Sequence, residues 1–231
     1  MAATGEEVED IALRQGVEAL SKSCVDLDIS VPVGKDSLSM RTKWDENSTE
    51  HVVKSPLSGV ITAIAPVADV RTSVTPELNI DTPSKIIHVS LNNQKRLAGS
   101  IFSEVTQSEF LNTPDVDDMD RFKKMFNAVQ GLISEHKVLA LHDVSDGGLI
   151  TSLLEMAFTK KVGLDIMIND LDPKNLNNYF FAEEVGLVLQ VDEAHLDEVT
   201  SALTSVYSVV NTIGTISSSK DIVISNAKEN L

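Results

Sequence analysis

The sequence predicts an α/β fold with α+β layering, and three observations predict it. Segments of strand character alternate with segments of helical period along most of the chain. Hydrophobic residues make up 42% of the 231 positions, enough to fill a sizeable core. Residues 71–83, with Pro76, Pro83 and several Thr and Ser, interrupt the pattern. That interruption predicts a boundary between an N-terminal part, 1–71, and a C-terminal part, 72–231.

The N-terminal part opens with residues 6–24, where Val8, Ile11, Ala12, Ala19 and Leu20 fall near the helical period behind a capping candidate at Thr4. Two alternating, strand-like runs follow, 29–33 and 38–44, around the turn Gly34-Lys-Asp36. A polar loop at 45–50 leads into 51–65, where Val52, Val53, Val60, Ile61 and Ile64 predict one long bulged strand or a hairpin. One helix and three or four strands leave strand edges without cover, so this part is expected to lack a half or to need a partner. Self-association through those edges is one way to supply it.

The C-terminal part reads as complete. A strand at 85–91 and a helical start near 97–105 precede a long helix over 116–136. Its apolar positions Phe122, Met125, Phe126, Val129, Leu132 and Ile133 recur at one face and read as core. A strand at 138–141 enters a turn and a helix carrying Leu149, Leu153, Leu154 and Met156. Then come a strand at 163–168, a loop at 169–176, a short helix, a strand at 186–191, a helix at 194–207 and strands at 208–214 and 221–224.

Charge and cysteine content restrict function. A net charge of −16, with no basic stripe, argues against a nucleic-acid partner. An acidic chain still binds a nucleotide when Mg²⁺ bridges carboxylate to phosphate. The longest apolar run, near 59–67, contains Thr62 and Pro66 and is too short to span a membrane. The acidic start carries no leader pattern. One cysteine, Cys24, allows no internal disulfide. A cytoplasmic protein is expected.

Three motifs carry possible chemistry. Leu141-His-Asp-Val-Ser-Asp-Gly-Gly148 joins a strand to a helix, placing a carboxylate at the strand end and exposed N–H groups at the helix start. Asp143 is the candidate Mg²⁺ ligand and Ser145 the candidate nucleotide contact. In the competing reading, Ser145 or Asp146 simply caps the helix. Val31-Pro-Val-Gly-Lys-Asp-Ser-Leu38 lacks the spacing of a phosphate-binding loop, yet Lys35, Asp36 and Ser37 suit a polar, nucleotide-binding cleft. Glu183 and Glu184, being adjacent, point differently on any regular element, and a solvated or capping role is favoured over paired acid–base work.

Taken in order along nearly the whole chain, these strings resemble the large form of the phosphoribosylformylglycinamidine synthase family. The resemblance is carried by Ile29-Ser-Val-Pro-Val-Gly-Lys-Asp-Ser-Leu-Ser-Met-Arg-Thr-Lys-Trp44, Ser55-Pro-Leu-Ser58, Ile61-Thr-Ala-Ile-Ala-Pro66, residues 141–148 and Leu153-Leu-Glu-Met-Ala-Phe158. Two positions depart from the pattern: Val144 replaces a common arginine, and Ala182 a common asparagine. The resemblance implies an aminoimidazole ribonucleotide synthase-like fold, with part of an N-terminal subdomain and a whole C-terminal subdomain from the second synthetase repeat. It also implies a purine-biosynthetic ligase reaction using ATP and glutamine-derived ammonia on formylglycinamide ribonucleotide. On this reading Mg²⁺ and ATP or ADP are the cofactors, Asp143 matches the metal ligand, and Ser145 matches the nucleotide contact. The other synthetase repeat and the glutaminase domain are implied partners, and the chain alone is expected to be inactive. A non-catalytic nucleotide-binding or scaffold module supporting a catalytic partner is the alternative.

Overall fold

A computed structural model describes residues 1–169, 172–226 and 229–230, so part of the predicted loop at 169–176 lies outside the described residues. The chain divides into two compact units, Met1–Ala68 and Asp69–Leu231.

In the first unit, α1 (Glu7–Leu27) ends at Asp28, whose left-handed backbone (φ 57°) turns its N–H back to the carbonyls of Cys24 and Val25. Strands β1 (Arg41–Glu46) and β2 (Thr49–Lys54) form an antiparallel hairpin, in register from Arg41 opposite Lys54 to Glu46 opposite Thr49. Asn47 and Ser48 both adopt positive φ, as a two-residue hairpin turn that follows the strand twist requires. The hairpin therefore forms between 41 and 54, and neither 29–33 nor 57–65 becomes a strand. Proline accounts for part of this difference. Pro32 and Pro56 have no N–H to give to a ladder, and Ser55 N–H closes the hairpin on Met40 O at 2.9 Å. The backbone of 37–40 pairs instead with the chain start, through Ala2 N to Ser37 O at 2.8 Å and Met40 N to Ala2 O at 3.1 Å. None of the residues of α1 is buried, and Val8 is 77% exposed.

The second unit is a seven-stranded sheet with helices on both faces. Its strands are β3 (Ser84–Ser90), β4 (Val138–Asp143), β5 (Gly163–Ile168), β6 (Gly186–Asp192), β7 (Val209–Ser217), β8 (Ile222–Asn226) and β9 (Glu229–Asn230), in the order β4-β6-β3-β7-β5-β8-β9. Among the described residues only β5 and β8 pair in parallel. The helices are α2 (Ile101–Thr106), α3 (Met119–Ser134), α4 (Gly148–Lys160), α5 (Leu176–Phe181) and α6 (Leu196–Ser205).

Alternation along the strands divides the core in two. Ile86 of β3 and Val188 of β6 face α4 and α5, where Leu149, Leu153, Met156 and Phe180 meet Leu164 and Ile166 of β5. Ile87 and Val89 of β3, with Leu189 and Val191 of β6, face Met125, Val129 and Leu132 of α3 and Val199 and Leu203 of α6. Burial on both faces explains why the central strands read as near-continuous apolar runs. It leaves Phe126 half exposed, because the seam on α3 is narrower than its apolar stripe. Among the described residues no helix is long and apolar enough to cross a membrane.

Strand register collects particular loops at one end of this sheet. Asp143, last in β4, lies opposite Leu187, while Ser90, last in β3, lies opposite both Gly186 and Val209. The turns leaving β3 and β4 and the turn entering β6 therefore share one end.

Inside the sheet, His88 of β3 is 4% exposed, and burial, with help from the nearby Lys95 cation, pushes its pKa down to about 3. Its ordinary value is 6.5, so between these values the unfolded chain binds more protons than the folded one. Stability is then full above that window and falls as pH drops through it, by up to about 1.4 kcal/mol per pH unit for one such group. Urea unfolding at about pH 7 and about pH 5 should show this loss, and His88→Phe should flatten it.

Candidate functional site

The turn between β4 and α4 is built by backbone and glycine rather than by a side-chain cap. Val144 N–H bonds to Gly186 O at 2.9 Å, and Gly148 N–H to Ser145 O at 2.9 Å. Gly147 stands at the N-cap with φ 85° and no side chain to cap with, and Gly148 follows at φ 74°. A Cβ on Gly148 would lie 2.6 Å from Phe180 O and 2.7 Å from the Phe181 carbonyl carbon, so α4 starts directly against the end of α5. Neither Ser145 nor Asp146 caps the helix.

Glu183 takes that task from a distance. Its Oε1 accepts from Gly147 N–H at 2.8 Å and from Ile101 N–H at 2.9 Å, so one carboxylate serves the starts of both α4 and α2. Glu184 points the other way and is 5% exposed. It accepts from Arg96 three times: from the backbone N–H at 2.9 Å, from Nε at 2.7 Å and from Nη2 at 2.7 Å. Arg96 Nη1 donates to Asp117 Oδ1 at 3.0 Å, and Nη2 also lies 2.9 Å from Asp117 Oδ2 and 3.0 Å from Asp115 O. Glu184 and Asp117 together push the Arg96 pKa up, so the guanidinium stays charged.

With capping handled elsewhere, the candidate ligands face solvent. The Asp143 side chain is 70% exposed, with His142 Nδ1 3.4 Å from Oδ1. The His142 ring, in contrast, is mostly covered, and its Nε2 lies 2.9 Å from Glu155 Oε2. Asp143 O accepts from Ser152 Oγ at 2.7 Å, which holds the strand end onto α4. Ser145 and Asp146 are exposed on the same turn. Among the described residues no group of three or more His, Cys, Asp or Glu side chains is arranged to hold a metal. One exposed carboxylate suits Mg²⁺ arriving with a phosphate chain, because that ion keeps several waters and takes only one or two carboxylates; it does not suit an all-protein cage.

In the first unit, Lys35, Asp36 and Ser37 lie in an irregular segment in which Lys35 Nζ donates to Ser37 Oγ and Ser37 O accepts from Ala2. Lys35 and Asp36 are exposed. Each candidate set therefore sits within its own unit, Lys35 to Ser37 in the first and Asp143 with Ser145 in the second.

The two positions where the sequence departs from the pattern it resembles are apolar and packed. Ala182 is 4% exposed, and Val144 packs against the core beneath α4 and α5. Sequence reasoning missed Arg96, which sits in a polar loop 88 residues from Glu184; no periodicity joins them. The pair Glu183-Glu184 ahead of a strand was the available signal.

A family model described as AIR synthase related protein, C-terminal domain, matches residues 84–225, and one described as FGAR-AT PurM_N-like domain matches residues 1–66. PurL of T. maritima complexed with FGAR is similar at a TM-score of 0.61 and 10% identity, over 93% of this chain and 35% of that one. The same protein complexed with ATP gives 0.56 at 10% identity, over 79% and 27%. PurLQS from Thermotoga maritima gives 0.55 at 10% identity, over 79% and 27%. The chain thus spans between 27% and 35% of the length of these structures, and at this identity the likeness establishes the fold.

Two substitutions check the construction of the turn. Gly148→Ala meets both a positive φ and a backbone wall, and should lower stability by about 1–3 kcal/mol in urea unfolding. Arg96→Ala, which strands a buried carboxylate, should cost about 3–5 kcal/mol, whereas Arg14→Ala on the exposed face of α1 should cost under about 1 kcal/mol.

Proposed function

The chain belongs to the family of AIR synthase related proteins, matched through their C-terminal domain, and from that membership we propose that it forms part of an ATP-dependent phosphoribosylformylglycinamidine synthase. The family model over residues 1–66, described by FGAR-AT, supports this narrower reading. So does the likeness of fold to T. maritima PurL, which has been described in complex with ATP and with FGAR. The proposed activity is carbon–nitrogen ligation on formylglycinamide ribonucleotide, carried by the whole synthetase with its further repeat and glutaminase domain.

The observation that carries the reading is local. Asp143 and Ser145 are exposed on a turn whose capping is done by Glu183 and by glycine backbone, so carboxylate and hydroxyl remain available to a ligand. In this proposal Asp143 holds Mg²⁺ and Ser145 donates to a phosphate oxygen of ATP or ADP. Lys35, Asp36 and Ser37, within the first unit, are proposed as a nucleotide-binding set of their own, offering a cation, a carboxylate and a hydroxyl. When bound, the ion offsets phosphate charge that an acidic chain would otherwise repel. The protein's own part is to keep the turn rigid: Gly148 against α5, Glu183 across two helix starts, and Ser152 on the strand end.

Calorimetric titration of the chain with Mg²⁺ and ADP tests this. Asp143→Ala should weaken binding by about tenfold, the loss of one charge-assisted contact, and omitting Mg²⁺ should abolish the difference between variant and parent. Equal affinity of parent and variant in Mg²⁺ removes the assignment.

A further inference from the structure

The antiparallel ladder between β5 and β7 stops at Ile166 opposite Gly214, although β5 stays paired with β8 as far as Ile168 and β7 with β3 back to Val209. Two strands that keep their outer neighbours but leave one another open a wedge between them. A cleft of about 680 Å³ fills it, a volume that admits a small molecule. On its wall stands Lys95, half-buried, from the loop after β3, where Asn178 Nδ2 holds its carbonyl at 3.0 Å.

The surroundings of this ammonium favour its neutral form. From α5, Tyr179 presents its ring, whose centre lies 5.7 Å from Lys95 Nζ, and burial pushes that phenol up to about 12. From β3, His88 is pushed down to about 3, so both side chains are neutral near pH 7. Glu184, ahead of β6, acts from farther away, but Arg96 already holds both of its oxygens and Asp117 as well. β5 and β7 bring the neutral Asn211 and Thr212 and apolar groups, and Lys95 is the one charged side chain among the described residues that line the cleft. Burial therefore prevails and draws the Lys95 pKa down from the ordinary 10.5, with Glu184 pulling the other way.

An amine that sheds its proton readily beside an open cleft is a nucleophile. Lys124 and Lys137, by contrast, are paired with carboxylates that raise their pKa. The neutral lining also narrows the reagent. Once Lys95 has attacked, no further cation among the described lining residues is there to hold an anionic leaving group, and an uncharged thioester needs none. Asn93 and Asn211 carry carboxamide N–H groups, which suit a carbonyl oxygen as it gains charge. We propose that Lys95 is an acylation site, at which a small acyl thioester enters the cleft between β5 and β7 and passes its acyl group to Nζ. The Nζ lone pair attacks the carbonyl carbon, the C–S bond breaks, and the proton lost by Nζ leaves with the thiol. The product is a neutral amide set among carboxamides that both donate and accept. The site lies wholly within the second unit, and the proposal does not rest on the nucleotide turn at Asp143.

Incubation of the full chain with a small acetyl thioester at about pH 7, followed lysine by lysine in peptide mass spectrometry, tests this. Lys95 should acquire acetyl at least about threefold faster than the exposed Lys161 and Lys220. The advantage should shrink as pH approaches the ordinary lysine value of 10.5, where the exposed amines lose their protons too, and should vanish in denaturant, which abolishes the cleft. Asn211→Asp, which sets a carboxylate on the cleft wall, should slow Lys95 and leave Lys220 unchanged. Lys95→Gln, a neutral carboxamide in place of the ammonium, should melt at or above the parent, since a desolvated charge is gone. Reaction at Lys95 no faster than at Lys161 and Lys220 overturns the site. A preference that survives denaturant overturns the role of the cleft, and a lower midpoint for Lys95→Gln overturns the fit of a neutral amide there.

Discussion

A carboxylate withdrawn from water at the entrance to β6 requires a partner, and Glu184 has one in Arg96, which meets it through side chain and backbone together. Because Arg96 also holds Asp117 and the carbonyl of Asp115, that buried charge fixes the loop after β3 to the approach to α3 and to the start of β6. Glu183, its neighbour, is aimed by the same backbone toward the first turns of α2 and α4. The geometry of the turn at Asp143 thus rests on charges that the turn itself does not contain.

Much of the second unit was legible as sequence because its strands and helices carry simple periods. The stripe Met125, Val129, Leu132 specifies the inner face of α3, and the spacing Leu149, Leu153, Met156 that of α4. β5 was expected over 163–168 and is found there. Pairing was less accessible. The order of seven strands and the parallel step between β5 and β8 depend on contacts between distant segments, which a local pattern does not encode. In the first unit β-branched residues at Val60, Ile61 and Ile64 suggested a strand where none forms, since side-chain preference alone provides no neighbouring backbone to bond with.

The same contrast applies to the candidate site. Strand, turn and helix around Asp143 and Ser145 could be read from a short string, and so could the possibility that a hydroxyl or carboxylate there caps α4. What the string could not reveal is that Glu183, from a segment 36 residues later, does the capping. The cleft between β5 and β7 was equally hidden: it exists because a ladder stops early, and its lining draws on segments spread from Asn93 to Ile213.

Sharing one carboxylate between two helix starts has a mechanical consequence. Glu183 holds Gly147 and Ile101 simultaneously, so the segment bearing it cannot slide without loosening α2 and α4 together. Withdrawing that one oxygen would leave two backbone donors unsatisfied at once, so the two helix ends share a single electrostatic anchor.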